Sequence, residues 1–146
     1  MAMEVAMRLL REGATAPTYG SAEAAGADLY ACLESPVTIG AGETAMIPTG
    51  VAMAIPTGLV GLVYARSGLA SKRGLAPANK VGVIDSDYRG EIFVALHNHG
   101  AAAQTVEHGE RVAQLVLTPY VTAQFEAVDS LEDTARGAGG FGSTGK

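Results

Sequence analysis

The sequence has no tryptophan, a single cysteine and fewer basic than acidic residues, and each shortage narrows what the chain can be. Cys32 alone cannot form an intrachain disulfide, and a lone thiol without further ligand clusters argues against a structural zinc site. Its strand context reads as that of a small core residue. Ten Lys and Arg against fifteen Asp and Glu leave a formal charge of −5, which disfavours a general nucleic-acid surface, because phosphate backbones are held by massed cations. Any phosphate ligand would need local, specific cradling. No apolar run approaches the roughly 18 to 20 residues that cross a bilayer, and the N-terminus lacks the charged-then-apolar pattern and small-residue cleavage site of a secretory signal. The expectation is a soluble cytoplasmic protein with neither membrane nor nucleic acid as partner. A sustained apolar stripe at 3.6-residue spacing is also missing, which excludes a helical architecture.

What is present suits a β protein. At 146 residues the chain fits a single domain whose core needs neither disulfide nor metal. With 48% hydrophobic residues and 19 glycines, it has apolar content for a core and many turn formers. Short apolar runs broken by Gly, Pro, Asn or Asp predict strands at Val5 to Leu10, Asp28 to Leu33, Thr44 to Pro48, Val51 to Ile55, Leu59 to Ala65, Lys80 to Ile84, Glu91 to Asn98 and Arg111 to Tyr120. In the run Glu91 to Asn98, Ile92, Val94 and Leu96 alternate with Phe93, Ala95 and His97, so both faces are largely apolar. That pattern implies sheets or subunits on both sides, as in a sandwich or jelly roll. One segment departs from it: Ser67 to Gly74 starts with an N-cap residue, places Lys72 and Arg73 in a last turn and ends in a glycine, predicting a short helix. The last twelve residues hold five glycines and one large apolar side chain, Phe141, so they cannot pack by themselves. The division expected is a β domain over residues 1 to 134 and a mobile arm over 135 to 146.

Five stretches carry the chemistry: AGADLYA (25 to 31), ARSGLASKRGL (65 to 75), GVIDSDYRGEI (82 to 92), GERVAQLV (109 to 116) and RGAGGFGSTG (136 to 145). Together, in this order, they resemble the five motifs of the homotrimeric dUTPase family. The resemblance implies a jelly-roll-like (β-clip type) subunit in a homotrimer whose active sites are shared between chains, and hydrolysis of dUTP to dUMP and pyrophosphate with Mg2+. Such an activity limits uracil incorporation into DNA and supplies dUMP for dTMP synthesis.

The residues themselves bear on each assignment. Asp85 ends an apolar run before a turn, where a carboxylate is exposed and rigidly aimed. Phosphoanhydride hydrolysis needs a base to orient an in-line water, the role that the resemblance gives Asp85, although an Asp that only starts a turn fits the same placement. Tyr88 packs against deoxyribose in the family and excludes a ribose 2′-hydroxyl by bulk; a hairpin tyrosine packing on a neighbouring strand is the alternative. Asn79 matches a residue of the uracil pocket, where an amide can meet the base's polar edge, yet it could equally initiate a turn. Arg66, Ser67 and Gly68 offer a guanidinium, a hydroxyl and an unencumbered amide for the triphosphate at the start of the predicted helix. Ala65 replaces the family's usual proline, which removes no donor. Gln114 stands between Val112 and Val116 on a strand, and its buried amide needs partners; the resemblance places it near the reacting phosphate and water, and a satisfied core amide is the alternative. Asp28 would hold magnesium largely through water, which suits an ion that keeps much of its hydration. The arm's amides, with Arg136, Gly142, Ser143 and Thr144, could wrap the phosphates while Phe141 stacks on uracil, closing only over nucleotide. His97, His99 and His108 lack metal-ligand spacing, and Asp87, Lys72 and Arg89 receive no contact role.

Two rivals have distinct signatures. A dCTP deaminase of the same fold usually carries a second serine where Gly68 stands and lacks the Asp87-Tyr88 pair and the Phe-bearing arm; ammonia release from dCTP would identify it. A catalytically silent nucleotide-binding or protein-interaction trimer would be expected to lack some of the chemical residues, all of which are present.

Overall fold

In a computed structural model, residues 2 to 143 and Gly145 are described; Thr144, one of the expected donors, lies outside the described residues. Alternation along the chain organises the structure. In β7 (Leu59–Tyr64), Leu59, Gly61 and Val63 face the core side and Val60, Leu62 and Tyr64 the opposite side. Before it come β1 (Ala6–Leu9), β2 (Thr18–Tyr19), β3 (Ala27–Tyr30), β4 (Val37–Ile39), β5 (Thr44–Pro48) and β6 (Val51–Ala54). Helix α1 (Ser67–Arg73) follows, then β8 (Leu75–Pro77), β9 (Gly82–Ile84), β10 (Phe93–Asn98), β11 (Gln104–Val106) and β12 (Arg111–Pro119). A five-stranded sheet runs β2-β3-β12-β7-β9 and a three-stranded one β5-β10-β8, with the pairs β1-β6 and β4-β11 flanking them, every pairing antiparallel. Leu29, Val63 and Leu115 of the larger sheet bury against Ile47, Val94, Leu96 and Leu75 of the smaller. Each such side chain removed from water contributes about 1.5 to 3 kcal/mol. The architecture is an all-β, jelly-roll-like sandwich with one short helix, and no described helix is long and apolar enough to cross a membrane.

The predicted strands of four or more residues are all present within a few residues of their expected bounds. Unpredicted are β2, β4, β8 and β11, each two or three residues long and too short to display a period. The helix begins one position earlier than expected: Arg66, extended at φ −92° and ψ 133°, occupies the cap position, and Ser67 is already helical. At its other end Gly74 adopts the expected left-handed conformation (φ 65°), and a Cβ there would sit 2.9 Å from the Gly100 nitrogen. Only one face of β10 is covered by this chain: Val94 and Leu96 are buried while Phe93 is exposed.

A second difference affects the site. The register of β12 against β3 shifts between Arg111 and Ala113, so Val112 and Ala113 are both buried and Val112 leaves the face on which it was expected beside Gln114. A bulge absorbs one residue and turns the remainder of the strand over. Gln114 therefore shares its face with Val116 and Thr118, away from the core. Strand order ends at Pro119, earlier than residue 135, and Val121 to Ala138 form no helix or strand and are exposed throughout.

Candidate active site

Asp28 and Gln114 lie directly opposite each other on β3 and β12, and Gln114 is also opposite Tyr64 of β7. This places the two candidate site residues Asp28 and Gln114 in one row with Tyr64 across the five-stranded sheet. The Asp28 side chain, 13% exposed, accepts a hydrogen bond from Arg66 Nε at 2.8 Å and lies 3.5 Å from Arg111 Nη1. This enclosed carboxylate is paired with two guanidinium groups and fixes Arg66 in return. None of the described residues accepts from the Nη nitrogens of Arg66, which stay available to an anion. Gln114 donates from Nε2 to the Ala65 carbonyl at 2.9 Å, and its Oε1 rests over Gly26, where a Cβ would collide with it. Gly26 is thus a site residue that the sequence reading does not single out, although a glycine beside a strand signals close approach. Ser67 and Gly68 are exposed next to Arg66, and no atom lies within 4 Å of a Cβ built on Gly68.

Asn79 and Tyr88 belong to a second group. They line a cleft of about 280 Å³ together with Met46, Val63, Gly82 and Phe93. Asn79 begins a three-residue turn closed by the Val81 N–H on the Asn79 carbonyl at 2.7 Å, with Lys80 in the left-handed region (φ 67°). A lysine in that conformation is strained, and strain beside a cleft is often retained for geometry. Tyr88 caps a turn by donating its backbone N–H to the Asp85 carbonyl (3.1 Å), and its hydroxyl donates to the Glu91 carbonyl at 2.7 Å. Among the described residues Arg89 hydrogen-bonds within the turn, to the Ser86 and Tyr88 carbonyls.

Asp85 is exposed and lines a different cleft of about 510 Å³, with Val60, Leu62, Val83, Asp87 and Tyr120. Leu62 is opposite Val83 and Val116, and continuing the β9 register sets Asp85 beside Val60. Asp85 and Gln114 thus occupy opposite ends of one sheet face with the apolar row Val83-Leu62-Val116 between them. From Val60 to Tyr64 is four residues, about 13 Å of extended strand. The arm is apart from both groups: Arg136 Nε bonds the Gly139 carbonyl at 2.9 Å, the Gly140 N–H bonds Ser143 Oγ at 2.8 Å, and Phe141 is fully exposed. His97 pairs with Thr44 Oγ1, and His108 Nδ1 accepts the Leu33 N–H.

Among the described residues no three His, Cys, Asp or Glu side chains cluster as a metal site. One enclosed carboxylate at an otherwise cationic row fits a cation held chiefly by its own water and by substrate oxygens, since magnesium binds with few protein ligands. Without an anionic substrate, Arg66 and Arg111 already neutralise Asp28.

The family model described as dUTPase matches residues 12–145. The chain is 51% identical over 130 residues to the deoxyuridine 5′-triphosphate nucleotidohydrolase of Hahella chejuensis, covering 88% of this chain and 86% of the relative. The enzyme of that name from Desulfotalea psychrophila is 54% identical over 129 residues, with the same coverage. Among solved structures, the Staphylococcus bacteriophage 80alpha dUTPase with dUPNHPP superposes with a TM-score of 0.90 at 29% identity, covering 99% of this chain and all of that one. A mutant dUTPase from phage phi11 of S. aureus, described with the coordination of a structural Mg(II) ion, gives 0.80 at 27% identity, covering 90% of this chain and all of that one.

Proposed function

Because the chain belongs to the dUTPase family and hydrolyses dUTP to dUMP and pyrophosphate, we propose that its catalytic groups meet only between subunits of a homotrimer. The observation that carries this reading is the separation of Asp85 from Gln114. Two groups that orient one water must each lie about 3 Å from it, whereas in one chain about 13 Å of strand and an apolar row intervene. A neighbouring copy seated on Val60, Leu62, Val83 and Val116 would cover that row and bring its own Asp85 to the Gln114 end. The uncovered apolar side chains Val121, Phe125, Val128 and Leu131 ahead of the arm also suit assembly.

In the proposed site, Asp85 orients a water toward the α-phosphorus and takes its proton, while Gln114, held by the Ala65 carbonyl, fixes the water's position. Arg66 turns its free Nη groups to the phosphates, with the Ser67 hydroxyl and Gly68 amide as further donors. Asn79 meets the uracil edge, and Tyr88 packs on the sugar. The arm delivers Arg136, Gly142, Ser143 and Thr144 to the phosphates and Phe141 to the base. Asp28 would hold Mg2+ through water, and the bound cation supplies charge neutralisation on the triphosphate. A cytoplasmic location belongs to the same reading, with the unpaired, buried Cys32 thiol in its favour.

Asp85→Asn tests the base assignment. Turnover should fall by about 10²- to 10⁴-fold, the usual contribution of a general base, while titration calorimetry with a non-hydrolysable dUTP analogue still detects binding. Equal loss of binding and turnover would remove Asp85 from that role.

A further inference from the structure

The turn that carries Tyr88 is anchored by a residue outside all five motifs. The Tyr88 ring is exposed, so packing from outside does not hold it in this chain. Its constraints are the hydroxyl bond to the Glu91 carbonyl and the surface of Gly90, where a Cβ would lie 2.7 Å from Tyr88 Cζ. Placement of the ring therefore follows placement of Glu91.

Glu91 is tied down through its side chain as well as its backbone. Its carboxylate, with 12% of the side chain exposed, accepts Arg11 Nε at 2.8 Å, Arg11 Nη2 at 2.9 Å and the Gly50 N–H at 2.9 Å. Gly50 cannot move aside easily: it is left-handed (φ 72°), and a Cβ on it would lie 2.6 Å from Ala14 Cβ. The Leu10 N–H donates to the Gly50 carbonyl at 2.7 Å, and the Ile92 N–H to the Val51 carbonyl at 2.8 Å. Three segments distant in sequence thus converge on one carboxylate. Arg11 is half-exposed, so its contribution lies in the two-pronged bond, a geometry that a lysine cannot reproduce.

We propose that Arg11 is a positioning residue for sugar discrimination, setting the Tyr88 ring through Glu91. The inference rests on the reading that Tyr88 excludes the 2′-hydroxyl. A ring that can retreat admits the extra oxygen, and rejection of an added hydroxyl by bulk alone is of the order of 10²-fold, so loosening should be visible within that range.

The test compares kcat/KM for dUTP and UTP by pyrophosphate release in Arg11→Met, Arg11→Lys, Glu91→Gln and the Arg11→Met/Glu91→Gln pair. Arg11→Met should lower the dUTP-to-UTP ratio by about tenfold, through gain on UTP, with kcat on dUTP within about twofold of the parent. Arg11→Lys should recover part of the ratio, and the double variant should be no worse than the poorer single one. General loosening of the fold would depress both substrates together and overturn the proposal, as would an unchanged ratio in a folded Arg11→Met variant while Tyr88→Ala lowers it. An unchanged ratio in Tyr88→Ala itself would place the error in the reading of Tyr88 instead. Should Arg11→Met fail to fold, Arg11→Lys carries the test alone, and a ratio equal to the parent's refutes the proposal.

Discussion

Mixing two inactive variants offers a direct test of a site divided between chains. Asp85→Asn removes the proposed base and keeps Gln114; Gln114→Ala does the reverse. Each pure trimer lacks a complete site. If every site draws Gln114 from one subunit and Asp85 from the next, random exchange at equal ratio gives each site an Asp85→Asn chain in the Gln114 position with probability one half. A Gln114→Ala chain occupies the Asp85 position with the same probability. About one quarter of the sites in the mixture should then be intact, because in a ring closed by identical heterologous contacts every mixed trimer holds one complete site in three and about three quarters of randomly assembled trimers are mixed. Pyrophosphate release should accordingly recover to about 25% of the parent rate after partial denaturation and reassembly, against a background lowered about 10²- to 10⁴-fold in either variant alone. Native mass spectrometry of differently tagged variants establishes exchange. Demonstrated exchange with no recovery would mean that Asp85 and Gln114 serve the same site from one chain, and the division of the site between subunits would be refuted.

Further consequences are open to measurement. Truncation after Ala135 should leave the β body melting as before, because among the described residues the arm's hydrogen bonds stay within the C-terminal segment itself, yet depress hydrolysis steeply; full activity would exclude the arm from the mechanism. Gly26→Ala should lower kcat by displacing Gln114, since the added methyl would collide with Oε1, and an unaltered rate would show that the Gln114 orientation is dispensable. Lys80→Gly should raise thermal stability by about 1 kcal/mol by releasing left-handed strain, whereas Lys80→Val should lower it; calorimetry decides. Glu91 is held below its ordinary carboxylate range by its hydrogen bond from Arg11, opposed by burial and supported by the Gly50 N–H. A depressed pKa gives stability that is present above the unfolded value of 4.5 and lost as pH falls through the folded one. Denaturant melts of Glu91→Gln should therefore lose pH dependence below about 4.5 relative to the parent.

Legibility in the sequence followed the range of the interactions involved. Strands such as Thr44–Pro48 announce themselves by local periodicity, and Gly74 marks its helix end by a local conformational need. The two-residue β2 and the three-residue β4, β8 and β11 are strands only because a partner pairs with them, so no local pattern encodes them. The shift in β12 is likewise a property of the pairing, which is why local alternation sets Val112 and Gln114 on one face and the folded strand does not. Arg11 and Glu91 stand 80 residues apart in sequence, and nothing near either one signals the other. Asp28, Arg66 and Gln114 were identifiable as motif residues, but their arrangement, with the carboxylate already neutralised by Arg66, becomes visible only across strands.

The one departure from the family pattern shows why the site tolerates it. Where a proline is usual the chain has Ala65, and the atom that orients Gln114 there is the backbone carbonyl, which either residue presents. Proline would restrict φ and remove an N–H, neither of which touches that acceptor. The neighbouring guanidinium is aimed by Asp28 from another strand, not by its own backbone stiffness. Orientation at residues 65 and 66 is thus supplied across the sheet, by β3 and β12, and the local rigidity of a proline is redundant with it. What the row cannot supply by itself is the second partner proposed for the water, Asp85, since the β-sheet that fixes Gln114 also sets Asp85 about 13 Å further along. The rigidity that aims these side chains within one subunit is the same property that would make a second subunit necessary for the reaction.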